Sequence, residues 1–115
     1  MATLTLRRED GRIVCERVVV ADRAHRRMRG LLGRRELPRD EGILLRPAAS
    51  IHTAFMRFPI DVVFLDRELV VLGIHDTIDP WRTASERGAK VVLELPAGES
   101  SRRGLTVGDQ LTLAA

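Results

Sequence analysis

Polar and apolar residues alternate over short segments at the start of the chain, as they do in strands. Thr3-Leu4-Thr5-Leu6 has the period of a half-buried strand. The Asp10-Gly11 pair is a hairpin-turn signal. Residues 13–20 then return with three consecutive valines, which favour β structure. The pattern predicts an N-terminal hairpin.

Further apolar runs of strand length follow, separated by turn residues. They cover residues 43–45, 60–65, 69–74, 90–95 and 111–113. Residues 82–88 predict a loop with at most one helical turn, and residues 99–103 a single turn that Gly104 stops. Short strands at close spacing indicate a mainly β fold, an antiparallel sandwich or barrel, rather than βαβ units.

One longer segment has helical rather than strand periodicity. Asp22 is a good N-cap, and Ala24, Met28 and Leu32 recur at helical spacing. Gly33 is a helix-ending residue. We therefore predict one short helix over residues 22–32, with arginines on its outer face.

Length and composition limit the classes of protein. A chain of 115 residues forms a single domain, residues 1–115. Aromatic residues make up 3%, so stacking platforms for single-stranded nucleic acid are nearly absent. The N-terminus has no signal-like apolar segment, and no apolar run reaches membrane-spanning length. The sequence predicts a cytoplasmic protein with no membrane span.

Positive charge is concentrated near the predicted helix. The net charge is +3, and the arginines of this segment are Arg23, Arg26, Arg27, Arg29, Arg34 and Arg35. Such a cluster suits phosphate or an acidic partner. Acidic residues follow at once at Glu36, Asp40 and Glu41, which favours a solvated helix face. Nucleic-acid binding through this helix is the weakest of the functional hypotheses.

The chain has too few cysteines for a disulfide framework, and its cysteine and histidines form no recognised metal-binding motif. Cys15 is the only cysteine and lies in an apolar strand, where a buried, inert thiol is expected. The three histidines, His25, His52 and His75, have no metal-ligand spacing. We predict no metal and no cofactor. A cluster of His52, His75 and an aspartate remains conceivable if their strands are neighbours.

The segment from Ser50 to Asp66 is the strongest candidate for a site. Asp61 interrupts an apolar strand, so its carboxylate either faces solvent or is buried and paired. His52 and Met56 lie just before Pro59, which favours an extended approach to that strand. His52 and Asp61 could form an acid–base pair. A structural role, in which both hydrogen-bond loop backbone, is preferred.

A second candidate is Glu94, in the middle of a predicted strand. On alternation Glu94 lies opposite Leu93 and Leu95, and so lines an outer face or a groove if the leucines are core. An ion pair with Arg29 or Arg57 is the plain structural interpretation. The candidate ligand-binding residues are therefore His52, Met56, Arg57, Asp61 and Glu94. No phosphate-loop, dinucleotide or serine-hydrolase motif is present.

Four motifs in order resemble the family known as domain of unknown function 192. They are Arg29-Gly30-Leu31-Leu32, Gly42-Ile43-Leu44-Leu45, the central segment from His52 to Asp61, and Val92 to Gly98 followed by Gly104-Leu105 and Gly108-Asp109. The resemblance covers nearly the whole chain. Many members carry a tryptophan and a longer insertion in the central motif. Here Phe55-Met56 lacks that tryptophan, so the insertion's roles do not transfer.

The resemblance implies a compact jelly-roll-like β sandwich with one short helix, and it implies no established function. Two functional hypotheses follow. The preferred one is a small ligand- or partner-binding accessory domain that holds a small ligand or a protein segment beside residues 55–58. The alternative is an enzyme of unknown reaction, with His52 and Asp61 as acid–base groups and Arg57 holding an anionic substrate.

Overall fold

The computed structural model describes residues 3–21, 35–54 and 56–115. Within them lie nine strands and one four-residue helix, α1, over Glu99–Arg102. The strands are β1 Thr3–Arg8, β2 Ile13–Ala21, β3 Glu41–Leu45, β4 Ser50–His52, β5 Ile60–Leu65, β6 Val71–Ile78, β7 Thr83–Ser85, β8 Val91–Pro96 and β9 Leu111–Ala114. The prediction of a mainly β fold is confirmed, and α1 lies where a single turn was predicted at residues 99–103.

Seven strands form one sheet in the order β6-β5-β8-β3-β2-β1-β9, and β4 pairs with β7 in a second, two-stranded sheet. The large sheet is mixed, because β2 and β3 run parallel while its other neighbours are antiparallel. This one parallel pair differs from the predicted antiparallel arrangement. The physical reason is the long connection over residues 22–40, since parallel neighbours need a crossover rather than a tight turn.

The two edge strands of the large sheet approach each other. Val70 and Gln110 form an antiparallel bridge. Beside that bridge, Val71 N–H donates to Asp109 O at 2.9 Å and Leu111 N–H to Leu69 O at 3.0 Å. The sheet therefore curls around one of its own faces, and the edge groups of β6 and β9 satisfy each other there.

Apolar side chains cover both faces of the sheet. On β5, Val63 and Leu65 join the cluster inside the curl. Ile60, Val62 and Phe64 point to the opposite face and join a second cluster. The second cluster is closed by Ile51, Met56 and Phe58 from the segment around the small sheet. All six residues of β5 are buried, which explains why five of them are apolar.

Several boundaries differ from the predictions. The N-terminal hairpin forms as predicted. The predicted strand at residues 69–74 starts later, because Leu69 has a positive φ of 68° in the preceding turn. Residues 83–85 form β7, not a loop, because they pair with β4. The predicted helix over residues 22–32 lies outside the described residues.

The described residues include no helix that is long and apolar enough to cross a membrane.

Candidate functional site

Asp61 is fully buried in β5 and accepts four hydrogen bonds. Its Oδ1 accepts from the backbone N–H of Thr77 at 2.8 Å and of Gly98 at 3.0 Å. Its Oδ2 accepts from the N–H of Ser100 at 2.9 Å and from the Ser100 hydroxyl at 2.6 Å. The carboxylate is therefore paired with donors from two other elements, as a buried charge requires.

The first donor comes from an irregularity in β6. The pairing of β5 and β6 shifts register between Ile60 opposite Ile78 and Val62 opposite His75. The bulge lies opposite Asp61, and Thr77 within it has a φ of 52°. A β-branched residue rarely adopts that conformation. The hydrogen bond from Thr77 to Asp61 helps offset its cost.

The other donors come from the start of α1. Gly98 precedes the helix with a φ of 88° and makes no side-chain cap of its own. Asp61 on β5 acts as the cap instead, because its carboxylate accepts hydrogen bonds from the N–H groups of Gly98 and Ser100. A carboxylate at a helix start is also favoured by the orientation of the peptide dipoles. Asp61 thus fixes α1 against the sheet.

An ion-pair network ties the same helix to β2. Arg102 binds Glu99 through two hydrogen bonds of 2.8 and 2.7 Å, and Arg103 lies 3.4 Å from the same carboxylate. Arg103 also binds Glu16 on β2 at 2.6 Å. The hydrogen bonds from Arg102 hold the pKa of Glu99 below its usual value, and that from Arg103 lowers the pKa of Glu16.

His52 lies in a different environment, at the end of β4. It is half-buried and lines a cavity of about 460 Å³. The cavity lies between the end of β3, residues 47–49 and the small sheet. Its polar lining is Ser50, His52, Thr83 and Ser85, and the remaining lining is Leu45, Pro47, Ala48, Ala49, Ile51 and Ala84. No carboxylate, lysine or arginine of the described residues lines it.

Thr53 fixes the small sheet beside this cavity. Thr53 is fully buried, and its hydroxyl donates to Asp79 O at 2.7 Å and accepts from Arg82 N–H at 2.9 Å. Its backbone N–H donates to Arg82 O at 2.8 Å, and its carbonyl accepts from Trp81 N–H at 3.1 Å. The segment that leads into β7 is therefore held by a residue immediately after His52.

The remaining predicted residues of the central segment separate into core and surface. Met56 is buried and packs with Phe58 in the second apolar cluster. Arg57 between them is exposed. Asp61 does not line the His52 cavity, and its four hydrogen bonds go elsewhere. The structure thus brings neither Met56, Arg57 nor Asp61 into that cavity with His52.

Glu94 was expected on an outer face or in a groove, and its full burial rules out the outer face. It lies opposite Ile43 and Val62 in the sheet, and both belong to the second apolar cluster. The outer-face alternative was wrong because this face of β8 is also covered by packing. Glu94 makes no ion pair with Arg57. Arg29, the other predicted partner, lies outside the described residues.

The other titratable candidates do not assemble into a cluster. The Nε2 of His75 lies 3.3 Å from Glu86, and its ring contacts the ring of Phe64 at 5.1 Å. In the described part of the chain, no three His, Cys, Asp or Glu side chains are grouped to hold a metal ion. Cys15 is buried as expected, and burial raises the pKa of its thiol to about 11.

Sequence reasoning missed the residues that join distant segments. Ser100 lies 39 positions from Asp61, and no local pattern indicates that pairing. Thr83 and Ser85 alternate with an apolar alanine, which is a weak strand signal over three residues. That signal was the only one available for the second wall of the cavity.

Proteins similar to this chain occur in archaea. A UPF0127 protein from Thermococcus sibiricus is 31% identical over 94% of this chain and 73% of its own length. A UPF0127 protein from Pyrococcus furiosus is 36% identical over 79% of this chain and 81% of its own length. Neither name states an activity.

Two crystal structures have a similar fold. A Sinorhizobium meliloti protein described as a "putative transcription regulator" superposes with a TM-score of 0.84 at 26% identity, over 97% of this chain and 94% of that one. A protein of unknown function from Novosphingobium aromaticivorans superposes with a TM-score of 0.80 at 24% identity, over 96% of this chain and 84% of that one. The latter likeness shows the fold alone.

The model of the domain of unknown function 192 family, described as "Uncharacterized ACR", matches residues 5–113. The four motifs of the sequence lie within that match. The chain therefore belongs to the domain of unknown function 192 family.

Proposed function

We propose that this protein is a non-catalytic binding domain, and that its ligand is a small, uncharged polar molecule held in the cavity beside His52. The observation that carries the proposal is the composition of the cavity wall. Three hydroxyl-bearing residues and one histidine are among the residues that line a space of about 460 Å³, and the other lining residues are apolar. Pockets of a few hundred Å³ with a few placed polar groups are typical of small-molecule sites.

The charge of the lining supports an uncharged ligand. The described residues around the cavity contribute no carboxylate, lysine or arginine that would neutralise an ion. Hydroxyl groups donate and accept, so Ser50, Thr83 and Ser85 suit a ligand that also carries hydroxyl or amide groups. The alanines and Pro47 suit its carbon skeleton. A small sugar or polyol has this chemistry.

The hypothesis of His52 and Asp61 as an acid–base pair has no support from the contacts of Asp61. Each of its two carboxylate oxygens accepts two hydrogen bonds: Oδ1 from Thr77 and Gly98, and Oδ2 from the N–H and hydroxyl groups of Ser100. A general base needs a free lone pair within hydrogen-bond reach of its substrate. A fully buried carboxylate with these partners serves the fold.

The experiment is a titration of a panel of neutral monosaccharides and polyols, followed by the backbone amide signals of the isotope-labelled protein in NMR spectra. We expect the signals of Ser50–His52 and Thr83–Ser85 to shift. His52→Ala should weaken binding about tenfold, since a hydrogen bond made in a desolvated site contributes about 1.4 kcal/mol to affinity. His75→Ala is the matched control, because His75 lies on β6 against Glu86 and outside the cavity.

Two results would refute the proposal. One is a panel in which no member shifts the signals of the cavity residues. The other is a binding constant that His52→Ala and His75→Ala reduce equally. Both variants are checked for folding by their thermal unfolding before the titration.

A further inference from the structure

Three cationic residues lie at one end of the large sheet. Arg46 directly follows β3, Lys90 directly precedes β8, and Arg67 lies two positions after the end of β5. Strand β8 runs antiparallel to both β3 and β5 and lies between them. The start of β8 therefore meets the ends of β3 and β5, and the three cations come together although they are far apart in sequence.

Backbone hydrogen bonds fix the segments that carry these cations. Lys90 N–H donates to Leu65 O at 2.9 Å, and Lys90 O accepts from Ala48 N–H at 2.9 Å. Arg46 N–H donates to Ala21 O at 3.0 Å. Backbone hydrogen bonds thus fix the main-chain positions of two of the three cations at this end of the sheet.

The three side chains line a cavity of about 400 Å³. Its remaining lining consists of Pro47 and Val91. All three cationic residues are exposed, and no described carboxylate lines the cavity. Asp66, next to Arg67, accepts backbone N–H groups of its own turn from Glu68 and Val70.

The charges of this group are not neutralised within the described part of the chain. None of Arg46, Arg67 and Lys90 forms an ion pair with a described carboxylate. Other arginines do so: Arg17 contacts Asp40 at 2.9 Å, and Arg103 contacts Glu16 at 2.6 Å. Three like charges around one cavity repel each other and raise the local concentration of anions.

We propose that this cavity binds the phosphate group of a small organic molecule. A guanidinium can bind two phosphate oxygens at once, and an ammonium adds a third point of contact. Pro47 and Val91 would contact the carbon part of the ligand. The cavity shares Pro47 with the His52 cavity but uses other polar groups, so this proposal does not depend on the proposed function.

The test uses pyrophosphate as the probe, measured by isothermal titration calorimetry at low ionic strength. We expect Arg67→Ala and Lys90→Ala each to weaken binding about tenfold, and added salt to weaken it further. The control is Arg12→Ala, which removes one exposed positive charge from the β1–β2 turn at the opposite end of β2 and β3. It should change the affinity less than about twofold, because its charge is screened at that distance. His52→Ala should leave pyrophosphate binding unchanged.

Two further binding measurements distinguish a small phosphate ester from nucleic acid as the ligand. A phosphomonoester such as glycerol phosphate should displace pyrophosphate and bind more tightly than inorganic phosphate if the apolar wall contributes. Equal affinities would overturn the organic part of the proposal. A DNA duplex that binds through Arg67 and Lys90 while pyrophosphate fails to compete would overturn the small-molecule site.

Two other outcomes would overturn the proposal as a whole: no pyrophosphate binding by the wild type, or equal weakening by Arg12→Ala and Lys90→Ala. Thermal unfolding checks that each variant is folded, which is expected because the replaced side chains are exposed. Arg67→Gln and Lys90→Gln provide a second, larger-side-chain pair with the same expected loss.

Discussion

Replacing Asp61 by asparagine isolates the charge of the buried carboxylate while keeping its shape. An asparagine has one oxygen and one amino group where aspartate has two oxygens. The cheaper orientation points the amino group at Ser100, whose hydroxyl can rotate to accept from it. The backbone N–H of Ser100 then loses its acceptor, and Thr77 and Gly98 keep theirs.

The magnitude follows from those contacts. One buried N–H without an acceptor costs about 1–3 kcal/mol, and the remaining hydrogen bonds lose their charge-assisted part. We expect Asp61→Asn to lower the free energy of unfolding by about 3 kcal/mol, or the melting temperature by roughly 10 °C for a domain of this size. Urea unfolding at neutral pH, followed by circular dichroism, measures the loss.

Asp66→Asn is the matched control. Asp66 also accepts two backbone N–H groups, from Glu68 at 2.9 Å and Val70 at 3.0 Å, but both bind Oδ1 alone. An asparagine oxygen can accept both, so this variant should lose less than about 1 kcal/mol. If Asp61→Asn lost no more stability than Asp66→Asn, the structural role assigned to Asp61 would be wrong.

Three further outcomes are expected. The pKa of Glu99 in the folded state is lowered from 4.5, so its contribution to stability is present above pH 4.5 and is lost as the pH falls through the folded-state pKa. Glu99→Gln should therefore lower the free energy of unfolding by about 1–2 kcal/mol at neutral pH, and in urea unfolding at a series of pH values it should lose less stability than the wild type as the pH falls. An equal loss of stability at low pH in the two proteins would contradict this. The thiol of Cys15, buried and with a pKa of about 11, should react with a disulfide reagent at neutral pH many times more slowly in the native than in the unfolded protein, and equal rates would contradict its burial. Gly42→Ala would place a methyl group 3.0 Å from Leu95 Cδ2 and 3.1 Å from Cys15 Sγ, so thermal unfolding should show a loss of about 1–3 kcal/mol, and an unchanged melting temperature would mean that the neighbours yield freely.

Local patterns predicted the elements whose signals are contained in a few consecutive residues. The Asp10-Gly11 turn and the valines that follow predicted the N-terminal hairpin, because turn chemistry and β propensity act between neighbours. The apolar run at residues 60–65, interrupted only by Asp61, predicted a strand. The conflict between Asp61 and that run predicted that its carboxylate, if buried, would be paired.

Only the tertiary structure decided which groups meet. The identity of the Asp61 partners depends on a bulge in β6 and on a turn 39 positions away, and neither leaves a local signal. Alternation placed Glu94 opposite the leucines but could not show that its own face is also covered. The cation group at Arg46, Arg67 and Lys90 depends on strand order, which is set by long-range pairing. The sequence by itself therefore determined the strands and the need for a buried partner, whereas the packing of distant segments decided where cavities and charges come together.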